Sequence, residues 1–76
     1  MADLTITQKK VLKVLGENED KWLKMRDIIK LSGVNRLNVE RAIQRFYDMD
    51  YVFIDYSEDA VQISLDGMEE YYNCFK

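Results

Sequence analysis

Between Asn35 and Arg45 the chain reads NRLNVERAIQR. Its polar side chains suit polar recognition. At 100° per residue, Leu37, Arg41, Gln44 and Asp48 share one helix face, flanked by Asn38, Glu40 and Arg45. The Arg41 guanidinium can donate two parallel N–H bonds to a planar acceptor such as guanine O6/N7. The amides of Gln44 and Asn38 match the donor–acceptor pair of adenine, and Leu37 can touch a thymine methyl. Asn35 and Arg36 begin the helix, where free N–H groups and the helix dipole favour a phosphate. Arg45 and the lysines 9, 10 and 13 are further candidates for backbone charge. Glu40 works against such a role near phosphates, although Glu40 and Arg36 stand at i, i+4 and can pair. A face of Arg, Gln and Glu is, by itself, most often a solvated helix surface.

The rest of the composition narrows the chemistry. The chain has 76 residues, no histidine, one cysteine and no proline. A zinc site and an internal disulfide are therefore not expected. No nucleophile elbow, phosphate loop or acid cluster marks an enzyme, and no cofactor is expected. No apolar run approaches the roughly 18 residues of a membrane span. The opening MADLTITQKK lacks the apolar core of a secretory leader, so the expected compartment is the cytoplasm. Charge is split along the chain. Residues 1–45 carry ten Lys/Arg against six Asp/Glu, net +4; residues 46–76 carry one Lys against eight Asp/Glu, net −7. The split predicts a basic face and an acidic face, and a possible basic protein partner for the acidic one.

The elements that must carry these residues follow from periodicity. A helix is expected from Ile6 to Leu15, with Thr5 and Gln8 as a capping box, Val11, Leu12 and Leu15 inward, and Gly16 as its stop. Trp22 and Leu23 read as a short extended piece. A second helix, Met25 to Leu31, turns Ile28, Ile29 and Leu31 inward and ends at Ser32-Gly33. The third runs from Arg36 to Asp48, capped by Asn35, with Val39, Ala42, Ile43 and Phe46 inward. Tyr51–Tyr56 and Ala60–Ser64 read as a hairpin whose tip, near Ser57-Glu58-Asp59, lacks the residues of a tight primed turn and is expected to be mobile. Ser64 caps a last helix, Leu65 to Asn73, whose continuation contributes Tyr71, Tyr72 and Phe75, weighted towards the core. The expected architecture is one domain over 1–76, α+β and mostly helical, with a three-helix core, a β-hairpin and a short C-terminal helix.

That order resembles the winged helix-turn-helix. In detail, LTITQKKVLKVL (4–15), LKMRDIIKLSGV (23–34), NRLNVERAIQRFYDMDYV (35–52) and ISLDG (63–67) resemble the core of regulators of the multiple-antibiotic-resistance-repressor type. The resemblance spans about residues 4–70. It implies that the third helix enters a DNA major groove, with Asn35, Arg36, Asn38, Arg41, Gln44 and Arg45 in contact. Since one recognition helix reads few base pairs, a homodimer through the first helix, the last helix or both is expected. Four departures bear on function. The family's long flanking helices, which build its dimer and ligand pocket, are absent here, so ligand sensing is not carried over. Lys24 stands where that family has a Thr or Ser cap. Asp50 replaces a glycine, in a residue type that tolerates the left-handed region. The wing carries Asp55, Glu58 and Asp59 with no Lys or Arg, so the usual minor-groove contact is not expected. The alternative expectation is a protein-interaction module, or a DNA mimic, acting through the acidic wing and last helix.

Overall fold

The computed structural model describes residues 3–76; Met1 and Ala2, the start of the stretch read for a leader, lie outside the described residues. The elements in chain order are α1 (Ile6–Glu17), β1 (Leu23–Lys24), α2 (Met25–Ser32), α3 (Arg36–Asp48), β2 (Val52–Asp55), β3 (Ala60–Ile63) and α4 (Leu65–Phe75). Four helices and a three-stranded antiparallel sheet of order β1-β3-β2 form a mostly helical α+β fold. No helix of the described residues is long and apolar enough to cross a membrane.

Local chemistry sets the helix ends. Thr5 and Gln8 form the reciprocal capping box of α1. The Asn35 side chain accepts from the Asn38 N–H at 2.9 Å and starts α3. Gly33 sits at φ +73, ending α2 in the left-handed conformation that a Cβ would penalise. Lys24 flanks α2 without a side-chain cap bond. Asp50 adopts φ +62, filling the left-handed position in place of glycine.

The core lies where α1, α2 and α3 meet the inner face of the sheet. Phe46, Leu12, Leu15, Ile28, Val11, Val39 and Val61 are its fully buried large residues. Each such side chain removed from water contributes about 1.5–3 kcal/mol, which explains why the predicted α3 stripe holds. The strands add Val52, Ala60 and Ile63. The hairpin base is closed by Ser64: its Oγ donates to the Asp50 carbonyl at 2.7 Å and accepts from the Gly67 N–H at 3.0 Å. A Cβ on Gly67 would run into the Tyr51 carbonyl, so that position has no room for a side chain.

Several expectations are corrected. Gly16 does not stop α1, which continues to Glu17. Gly16 is buried because the Tyr71 ring of α4 lies over its bare Cα. Leu31 is 59% exposed: it points away from the α1–α3 contact, and Met25 takes the inward place instead. The strand beside the hairpin is Leu23–Lys24, and Trp22 precedes it. α4 runs to Phe75, and of its aromatics only Tyr71 is buried, while Tyr72 and Phe75 stay exposed. Glu70 is buried, with the Cys74 thiol as its hydrogen-bond partner at 3.5 Å. Burial pushes the Cys74 thiol up from its ordinary pKa, and the Glu70 carboxylate adds to the shift. Tyr51 is raised likewise, chiefly by burial and then by Glu70.

Candidate nucleic-acid interface

α3 is held by its inward stripe and packs on α1, α2 and β2. Its opposite face is left to solvent. Leu37, Glu40, Arg41, Gln44, Arg45 and Asp48 are all exposed, and Asn38 is half-buried. The turn Gly33–Asn35 joins α2 to α3 and fixes how α3 projects. The geometry brings the predicted site residues onto one helix, but it does not leave them equivalent.

Arg36 is occupied. Its Nε donates to Glu40 Oε2 at 3.1 Å and its guanidinium also donates to Asp59 Oδ2 at 3.3 Å, across to the hairpin tip. The predicted Glu40 pairing is present, and the Asp59 bond is an addition that linear spacing could not reveal. Asn35 spends its carbonyl oxygen on the cap. Gln44 donates to Asp48 Oδ1 at 3.2 Å within the helix. Among the described residues, Arg41 and Arg45 have no ion-pair partner. Arg41 and Asn38 line a hollow of about 280 Å³ with Thr5, Thr7 and Gln8 at the start of α1. Lys9 lies towards α4, where its charge acts on Cys74 and lowers that thiol's pKa against the larger raising effects.

The hairpin tip is tied down. Lys24 Nζ donates to Glu58 Oε1 at 3.0 Å and to the Glu58 carbonyl at 2.8 Å. Asp55 Oδ1 accepts from the Ser57 hydroxyl at 2.7 Å and from the backbone N–H of Ser57 and Glu58. The Ser57 hydroxyl is the main reason the Asp55 carboxyl lies below the usual carboxylate range, and the two backbone bonds add to it. Asp59 turns the chain at φ +50 and binds Arg36. Each of the three tip acids therefore has a partner. The mobile acidic tip expected from residue types is instead a bonded turn, because Lys24 and Arg36 reach it from elements far away in sequence. These pairs are solvent-exposed, so each contributes only about 0–1 kcal/mol and can exchange for another ion.

Between α3 and the hairpin lies a groove of about 180 Å³ lined by Glu40, Gln44, Ile54 and Tyr56 among others. Tyr56 was not singled out from sequence; its exposed ring beside the α3 face could not be placed without the strand register. No group of acids, cysteine or histidine among the described residues could hold a metal ion. No protein-family model, curated protein or solved structure matches the chain.

Proposed function

We propose that this chain is a winged helix-turn-helix domain that binds double-stranded DNA through α3 and acts as a small transcriptional regulator. The observation that carries the reading is the uncovered α3 face: Leu37, Arg41 and Arg45 are exposed, and both arginines lack an ion-pair partner among the described residues. The α2–turn–α3 arrangement and the adjoining hairpin support the same reading, as does the resemblance to repressors of the multiple-antibiotic-resistance type.

Arg41 is the base reader, able to hold guanine bidentately. Gln44 and Asn38 read neighbouring bases, with Gln44 first leaving Asp48. Arg45 contacts phosphate, and Asn35 orients the helix through its cap. Arg36 reaches phosphate only by giving up its bonds to Glu40 and Asp59. Since one helix reads few base pairs, a dimer on half-sites about one DNA turn apart fits this geometry. The exposed Tyr72 and Phe75 on α4 suit its contact. The alternative reading is a protein-interaction module or DNA mimic acting through the acidic hairpin and α4; at the hairpin tip it requires the carboxylates to exchange their present partners for those of another molecule.

Titration of labelled duplex DNA at low salt tests the proposal. Binding that weakens with salt and falls in Arg41→Ala is expected. No binding, or binding indifferent to Arg41, overturns it.

A further inference from the structure

A cleft of about 660 Å³ lies on the outer face of the sheet beside the start of α4. Glu19, Asp20, Asp50, Asp66, Phe53 and Leu65 line it. Its floor is apolar and open to water: Phe53 is 55% and Leu65 84% exposed. Phe53 pairs with Gln62, and Trp22, 50% exposed, stands just before β1, whose Leu23 pairs with Val61, the neighbour of Gln62.

The four carboxylates contrast with those at the hairpin tip. None has an ion-pair partner among the described residues, although Lys21 is next to Asp20 in the chain. They come from three separate parts of the sequence: the loop after α1, the turn before β2, and the first turn of α4. The fold gathers them around exposed aromatic and aliphatic surface. Exposed apolar side chains rimmed by charge of one sign are complementary to an apolar anchor flanked by charge of the opposite sign.

We infer that this cleft docks a short lysine- or arginine-bearing segment of another protein, seated by an aliphatic or aromatic anchor against Phe53 and Leu65. Nucleic acid and anionic lipid surfaces are repelled by the same carboxylates. A second copy of this chain also carries exposed cations beside apolar side chains, such as Lys30 next to Leu31 on α2, so self-association is an outcome the test distinguishes. The cleft and the α3 face are separate sites, and the docking inference does not depend on the DNA reading.

The test uses a synthetic peptide alternating lysine with leucine, and a control alternating lysine with serine. Trp22, the chain's single tryptophan, gives the readout through its fluorescence at the edge of the site. The lysine–leucine peptide is expected to shift Trp22 emission and to bind at least tenfold more tightly than the control. Phe53→Ala and the pair Asp50→Asn with Asp66→Asn should each weaken it at least tenfold, while Glu58→Gln at the hairpin tip leaves it unchanged. Asn tolerates the left-handed backbone at position 50, and Phe53 is exposed; circular dichroism confirms that each variant is folded. Equal binding of the two peptides, or binding indifferent to the cleft variants, overturns the inference by reducing the site to general charge attraction. Self-association in sedimentation equilibrium that is lost in Phe53→Ala also overturns it, because the occupant is then a second copy.

Discussion

Arg36 and Arg41 lie on the same helix, both exposed, and are in opposite states. Arg36, at the first turn of α3, is clamped between Glu40 and Asp59. Arg41, in the middle, has no ion-pair partner among the described residues. The carboxylates show the same contrast: Glu58 and Asp59 are paired at the hairpin tip, while Asp50 and Asp66 at the other end of the hairpin have no ion-pair partner among the described residues. Charge counted along the chain is therefore a poor guide to charge presented at the surface. The hairpin folds its tip back against Lys24 and α3, and their opposite charges cancel where they meet. At the hairpin base, Asp50 and Asp66 form no ion pair among the described residues.

The sharpest way to break this comparison is Arg41→Ala. Removing a free bidentate donor should weaken specific DNA binding about 10- to 100-fold, or roughly 1–3 kcal/mol, measured at one fixed salt concentration. A loss that is instead larger in Arg36→Ala would invert the two roles. Asn35→Ala comes next. It should lower unfolding stability in urea by about 1 kcal/mol through the lost cap bond to the Asn38 N–H. Asp59→Asn sharpens the comparison from the other side. It removes one of the two carboxylates that hold Arg36, leaving Glu40, so DNA affinity should rise several-fold. The plot of log K against log salt should steepen by up to about one unit if Arg36 then reaches a phosphate.

The smallest expected effect concerns acid. Asp55 is held in its charged form by the Ser57 hydroxyl and by two backbone N–H groups, so its folded pKa is depressed. Its stabilising contribution is present above the ordinary carboxylate pKa and is lost as pH falls through the lowered value. The amide shifts of Ser57 and Glu58, followed by NMR, should therefore titrate below the about 3.9 of an unperturbed aspartate. An inflection at or above that value would mean that the tip is not held by this carboxylate.

Much of the scaffold was legible without coordinates. The stripe Val39, Ala42, Ile43 and Phe46, the caps at Thr5, Asn35 and Ser64, and the left-handed residues Gly33 and Asp50 are local properties, and the structure has each of them. The misreadings share a different cause. Leu31, Tyr72 and Phe75 are apolar at helical spacing, yet burial depends on whether another element arrives to cover them. Gly16 looked like a stop because nothing in its neighbourhood announces Tyr71. On the α3 face, residue types and register were readable, while the occupancy of Arg36 was not.

The sequence alone determined which elements form, the caps that begin α1, α3 and α4, and the side of α3 that faces inward, because hydrophobic period and cap chemistry act over a few residues. Tertiary structure alone decided which charges survive at the surface. Asp59 meets Arg36 and Glu58 meets Lys24 only after β3 has paired with β1 and β2, across 23 and 34 residues of chain. The same pairing sets Phe53 opposite Gln62, and the fold gathers four acids beside them. Coulomb attraction between ions falls with distance and is screened over about 8–10 Å in salt, so it acts where the fold brings them together.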